Sequence, residues 1–232
     1  MNEKLKFDAK TVIRVLLYLF FVPLVLFLTS WRWDWGMAWV YSILGLALSV
    51  GSRVLMARKH PDLVAERASF RDAEGVKEWD KKLVPWVAQI LPFVILVFAG
   101  LDKRFGLSPE FPLWVALTAL GVSIMGFAFS TWALVENRYF SSVVRIQTER
   151  GQMVCNTGPY RYIRHPGYAG GLVWYLMTPI MLSALWAYVP TVIMIVLTVL
   201  RTSLEDRTLQ EELPGYREYT QQTRYRLLPR VW

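Results

Sequence analysis

The 232-residue sequence predicts an all-α fold, a polytopic membrane bundle of about six helical spans. Three observations carry this. Apolar residues make up 54% of the chain and charged residues only 19%, below the roughly 25% usual in soluble domains. Several almost uncharged runs reach the roughly 20 residues that cross about 30 Å of hydrocarbon. Lysine and arginine gather in alternate connections between those runs. The net charge of +8 therefore reads as orientation and attraction to anionic lipid. Nucleic acid is not an expected partner, because no zinc-finger, helix-turn-helix or RNA-recognition pattern occurs. One cysteine, Cys155, excludes an internal disulfide, and with two histidines, His60 and His165, no metal site is expected.

The chain opens with a polar segment carrying Lys4, Lys6 and Lys10, followed by a first span over residues 11–30. That span is too long for a signal peptide and lacks a small-residue cleavage site. Trp31, Trp33 and Trp35 close it as an interfacial belt. A second span covers residues 36–55, where Gly45, Ser49 and Ser52 allow close helix contact. Residues 53–82 form a long charged connection, with Arg71 and Asp72 among its ions and His60 as an ordinary loop histidine; it suits a short helix at headgroup level. The third span, residues 83–101, tolerates Pro85 in its first turn and is expected to kink at Pro92. After a short polar turn comes the fourth span, residues 111–135.

Residues 136–168 are the second large polar segment, and residues 169–200 are nearly uncharged again. Pro179 and the residues around Ala184 interrupt that last stretch, so a tight helical hairpin fits better than one overlong helix. Residues 202–213 continue as an amphipathic helix ended by Pro214 and Gly215. The connections rich in Lys and Arg all fall on one side if six spans leave both termini in the cytoplasm. The chain divides into residues 1–135, the amino-terminal helices with a cytoplasmic loop, and residues 136–232, a region able to carry chemistry.

That region centres on GPYRYIRHPGYAGG, residues 158–171, where Tyr160, Arg161, Arg164, His165 and Tyr168 precede an apolar helix. Such polar groups are costly beside a membrane span unless they face water, headgroups or a polar ligand. Across the hairpin stand Arg201, Glu205 and Asp206, so a tight hairpin brings both sets together. The mixture fits a zwitterionic ligand bearing an aromatic base: a carboxylate for ammonium or hydroxyl groups, cations for a carboxylate, tyrosines for a base or sulfonium. The plainer alternative makes Arg201 and Glu205 an (i, i+4) helix salt bridge and the arginines lipid anchors.

The pattern GPYRYIRHPGYAGG, then an uncharged hairpin, Arg201-x-x-x-Glu205-Asp206 and Leu213-Pro-Gly-Tyr216-x-x-Tyr219, resembles the isoprenylcysteine carboxyl methyltransferase family, akin to phospholipid methyltransferases. The resemblance covers residues from about 137 onward. It implies S-adenosylmethionine as cofactor in a cytoplasm-facing pocket roofed by the tail. It implies that a lipophilic or lipidated acceptor, such as an isoprenylcysteine carboxylate, enters from the bilayer. Carried over by motif, Tyr160, His165, Pro166, Gly167, Tyr168 and Glu205 contact the cofactor. Gln152, Met153, Val154 and Cys155 line the pocket through backbone groups, and Gln147 reaches in. Arg201 faces the acceptor and with Glu205 and His165 forms the catalytic set. Asp206 stands where relatives often have a second glutamate, and Gln152 where a histidine is common. The compact chain looks bacterial in style, which places it in an inner membrane.

A carboxylate or thiolate acceptor needs no general base, so alignment and exclusion of water are the main tasks. An amine acceptor instead needs Glu205, His165 or a tyrosine as base. A phospholipid or small-thiol methyltransferase, a nicotinamide-dependent membrane reductase and a non-catalytic lipid-binding protein remain as alternatives. No glycine-rich dinucleotide loop supports the reductase.

Overall fold

A computed structural model describes residues 9–68 and 73–232, with the side chains of the first helix described from Phe20 onward. Lys4, Lys6, Arg71 and Asp72 lie outside the described residues. Nine α-helices and no strand occur among the described residues: α1 (Ala9–Ser30), α2 (Gly36–Lys59), α3 (Pro61–Ala68), α4 (Glu78–Pro85), α5 (Leu91–Phe105), α6 (Leu113–Glu136), α7 (Pro166–Met181), α8 (Tyr188–Glu212) and α9 (Tyr216–Gln222).

Helices stand at all six places where spans are expected. Four helical stretches, Gly36–Lys59, Glu78–Phe105, Leu113–Glu136 and Leu185–Glu212, are long and apolar enough to cross a bilayer among the described residues. In α7, 16 residues give roughly 24 Å, so this arm of the hairpin relies on the turn beyond Met181 to complete its reach. The third span differs in detail from the simple kink expected at Pro92. A π-turn, Trp86–Ile90, joins α4 to α5, and Leu91 N–H bonds to the Trp86 carbonyl five residues back. Pro92 has no N–H to continue the ordinary ladder and its ring crowds the preceding turn; one wider turn absorbs both. The first polar connection forms α3, as its amphipathic composition predicts. His60 Nε2 bonds to the Val135 carbonyl at 3.0 Å, tying the α2–α3 corner to the end of α6.

Helix packing follows the rule for lipid, where small residues permit close approach. A close crossing joins α6 and α7 at Gly126 and Gly170: a Cβ on Gly170 would lie 2.7 Å from Ser130 N, and one on Gly126 2.6 Å from Val173 Cβ. Gly45 does face a neighbour, with Trp174 Cζ2 at 3.3 Å from its would-be Cβ. The core holds Phe27, Tyr41, Ile95, Trp174 and Met181, and Trp174 Nε1 donates to Tyr41 Oη at 3.0 Å. Leu28, Ile43, Trp114, Met125 and Val196 point outward, which in a bilayer meets hydrocarbon.

The two ends of the bundle differ in chemistry. At one, two of the turns poor in positive charge meet: Trp186 N–H donates to Asp102 Oδ2 (2.9 Å), Leu185 N–H to Ser108 Oγ (2.8 Å) and Phe111 N–H to Ser183 Oγ (3.1 Å). At the other, the long charged connections and the tail pack together, with Lys77 bridging to Glu212 at 2.6 Å and Arg138 to Asp62 at 3.0 Å.

Candidate active site

The strap that precedes α7 is shaped by its own sequence and held by the tail. Gly158 has φ +54°, a conformation that side chains resist, and a Cβ there would meet the Glu136 carboxyl carbon at 2.9 Å. Pro159 then starts the short 3₁₀ turn Gly158–Arg161. The tail crosses over it in an irregular backbone ladder. Arg164 N–H donates to Tyr225 O and His165 N–H to Arg226 O, both at 2.9 Å, while Tyr219 Oη donates to Tyr160 O at 2.6 Å. Burial pushes the phenols of Tyr160 and Tyr216 well above their ordinary range, so both stay protonated donors.

Beneath the strap lies Asp206, with 0% of its side chain exposed. It accepts a fork from Arg164 (2.7 and 2.9 Å), Arg226 Nε (2.9 Å), Gln210 Nε2 (2.8 Å) and Tyr216 Oη (3.1 Å). His165 Nε2 stands 3.3 Å from the same carboxylate, which can accept a hydrogen bond from its ring N–H. The other nitrogen, Nδ1, therefore faces Glu205 Oε1 at 3.9 Å. The imidazole before the hairpin and the carboxylate after it do meet. Glu205 also accepts from Tyr168 Oη at 2.5 Å, and the Tyr168 ring lies nearly parallel to that of His165. Unlike Asp206, Glu205 keeps 22% of its side chain exposed.

One helical turn earlier, Arg201 is not paired with Glu205 as a helix salt bridge. Its fork closes on Asp80 of α4, Nε at 2.7 Å and Nη2 at 3.2 Å, and Nη2 also donates to Ser142 O. Asp80 accepts Val144 N–H at 2.7 Å as well. The pair thus anchors the 142–144 loop and α4 to α8. Arg201 still faces the site, with Cζ 5.2 Å from the Tyr168 ring, but its charge is cancelled by a fully buried carboxylate.

These groups border a cavity of about 360 Å³. Gln147, Gln152, Met153, Val154, Cys155, Tyr160, His165, Gly167, Tyr168, Arg201 and Glu205 all line it. Pro166 does not: it is buried at the first position of α7, where a missing N–H costs nothing, so its part is to start the helix. Gln147 lines the cavity with its side chain spent on the loop, donating to Tyr139 O at 2.9 Å and accepting from Arg150. Gln152 Oε1 likewise caps Gln147 N–H at 2.7 Å. By contrast, no backbone N–H or C=O of Met153, Val154 or Cys155 is bonded among the described residues, leaving an open polar edge at the cavity wall. Cys155 is half-buried, and burial raises its thiol above the usual value.

Asp80, which braces Arg201, and two further arginines at the cavity escaped sequence reasoning. Asp80 sits in the charged run EWDKK, indistinguishable there from solvated neighbours. Arg67 and Arg145 belong to loops remote from the motif, yet both line the cavity. Arg145 is matched by Glu66 and Glu149, each at 2.7 Å. Among the described residues no three His, Cys, Asp or Glu side chains stand where they would hold a metal ion.

Residues 117–212 match the sequence model of the isoprenylcysteine carboxyl methyltransferase family. A probable protein-S-isoprenylcysteine O-methyltransferase of Oryza sativa subsp. japonica is 37% identical over 70 residues, 30% of this chain and 37% of that protein. Protein-S-isoprenylcysteine O-methyltransferases B and A of Arabidopsis thaliana are 28% and 30% identical over 89 residues, 38% of this chain and 41% of each relative. The match thus spans well under half the length of these curated relatives. The segment matched by the family model takes in the strap, the last hairpin and both facing carboxylates, and over that segment the chain is similar to the isoprenylcysteine carboxyl methyltransferase family.

Proposed function

We propose that the protein is an integral membrane methyltransferase. It moves a methyl group from S-adenosylmethionine to a lipophilic acceptor drawn from the bilayer, foremost the carboxylate of an isoprenylcysteine-like group. One observation carries the reading: His165 and Glu205, remote in sequence, stand 3.9 Å apart at the wall of one cavity inside the family-matched segment.

The residues present fit such a donor. Glu205 offers one carboxylate oxygen free of hydrogen bonds among the described residues, suited to an ammonium or to ribose hydroxyls. The open backbone edge of residues 153–155 suits the edge of a purine. His165 Nδ1, Tyr168 and Gly167 complete the contact surface; a Cβ at Gly167 would sit 2.5 Å from the Phe140 ring, so only glycine leaves the strap this close. Bound there, S-adenosylmethionine supplies an electrophilic methyl group on a sulfonium. The chain's own task is to hold the acceptor in line and keep water out, because an ionised carboxylate needs no proton removed. The roof formed by residues 216–227 performs the exclusion.

Residues 136–232 form the donor-binding half in this account, and residues 1–135 supply the acceptor's surroundings. The concentration of Lys and Arg at this end favours the cytoplasmic face, of a bacterial inner membrane. The same geometry weakens a nicotinamide-dependent reductase: Arg164, which would pair with a pyrophosphate, is already held by Asp206.

The test is incubation of the purified protein with donor labelled at the methyl group, using N-acetyl-S-farnesyl-L-cysteine and a bacterial lipid extract as acceptors. Base-labile label in the farnesylcysteine product supports the ester reading. Label only in phospholipid replaces the acceptor class. No transfer to either, together with NADPH binding, overturns the methyltransferase.

A further inference from the structure

Four arginines line the cavity, and three are ion-paired: Arg145 with Glu66 and Glu149, Arg164 with Asp206, which Arg226 shares, and Arg201 with Asp80. Arg67, on α3, is the exception. Its hydrogen bond is from Nη1 to the neutral Phe140 carbonyl at 3.0 Å, and its Cζ rests 5.7 Å from the Phe140 ring. No carboxylate stands within ion-pair distance of it among the described residues. Phe140 in turn abuts Gly167 at the start of α7, beside His165 and Tyr168. A half-buried cation held against a ring, with no counter-ion among the described residues, is unfavourable unless a ligand brings the negative charge. Burial lowers the pKa of this guanidinium, and the Arg53 charge acts in the same direction, both signs of an electropositive, partly desolvated spot. The same cavity is lined by Ala88, an exposed residue of the π-turn in a membrane-crossing stretch, which gives an apolar chain a path outward.

We infer that Arg67 is the receptor for the acceptor's carboxylate, gripping it with the guanidinium edge that Phe140 leaves free while the apolar tail leaves past the π-turn at Ala88. The assignment rests on the methyltransferase reading for its biological sense, but it is a binding claim testable without turnover. It divides the labour among the arginines: Arg201 braces the wall through Asp80, and Arg67 selects a charged acceptor over a neutral one. Planar, bidentate recognition of a carboxylate is what guanidinium offers and ammonium does not.

The experiment is equilibrium binding of N-acetyl-S-farnesyl-L-cysteine and of its carboxamide to the full chain in phosphatidylcholine nanodiscs, with S-adenosylhomocysteine affinity measured in parallel. The wild type is expected to favour the acid at least tenfold. Arg67→Ala should reduce that preference below twofold, and Arg67→Lys should restore only part of it, with S-adenosylhomocysteine bound normally by both. If Arg67→Ala loses S-adenosylhomocysteine as well, Arg67→Gln, which keeps bulk and donors without charge, carries the comparison. A preference that survives charge removal, or a wild type that binds acid and amide alike, overturns the proposal. So does competition by phosphatidylglycerol nanodiscs that Arg67→Ala abolishes, since the anion would then be a lipid phosphate. Should the wild type discriminate the acid yet fail to bind S-adenosylhomocysteine, the donor assignment falls and the role of Arg67 stands.

Discussion

Asp206 and Glu205 are adjacent in sequence and opposite in use. Asp206 receives hydrogen bonds from Arg164, Arg226, Gln210 and Tyr216 and faces His165, so it has little capacity left for a ligand. Glu205 has one internal donor, Tyr168, and borders the cavity. Asp206→Ala leaves at least one buried guanidinium without its counter-charge, a change that costs about 3–5 kcal/mol in comparable pairs. A lowered thermal midpoint in detergent, with the tail newly open to protease, is the expected result; unchanged stability would remove Asp206 from its place as the anchor of strap and tail. Cys155 permits a gentler probe. Its thiol is raised by burial, so at pH 7.5 the reactive thiolate is scarce. Alkylation by iodoacetamide should run at least tenfold slower than that of glutathione and slow further with S-adenosylhomocysteine present. Rapid labelling indifferent to that ligand would place Cys155 away from the site.

At the scale of elements, the α6–α7 crossing sets where the strap can sit. Gly170 touches α6 so closely that even a methyl group would overlap Ser130 and the Gly126 carbonyl, whereas Gly171 next to it has open space. The two glycines therefore make a matched pair. Gly170→Ala should destabilise by about 1–3 kcal/mol through overpacking. Gly171→Ala should be neutral or stabilising by up to about 1 kcal/mol, because alanine is the better helix former. Equal effects on thermal denaturation would show that the crossing is looser than described. The sequence marks both positions as small but cannot tell which faces a neighbour, since that depends on helix rotation. The π-turn at Trp86–Ile90 was similarly half-legible: Pro92 announces a disturbance in the helix, while its form is decided by packing around the turn.

For the whole molecule, the sequence exposed the bundle readily because apolar runs near the bilayer thickness and asymmetric positive charge are strong, local signals. The placement of His165 against Glu205 was legible too, since a tight hairpin returns the chain to its starting depth. The ion pairs between distant segments were not. Nothing near Arg201 points to Asp80, and nothing near the family motif points to Arg67, because both partners lie in the charged connection between the second and third spans. Pro166, carried over by motif as a cofactor contact, starts α7 and is not among the residues that line the cavity.

In the proposed site one ligand is held jointly from both sides of the last hairpin. Isothermal titration of S-adenosylhomocysteine into the wild type, His165→Ala and Glu205→Ala measures this directly. Saturable binding by the wild type, weakened at least tenfold in each variant while each keeps its thermal midpoint, is the result predicted. Wild-type affinity in both variants, or no binding by the wild type, would contradict it.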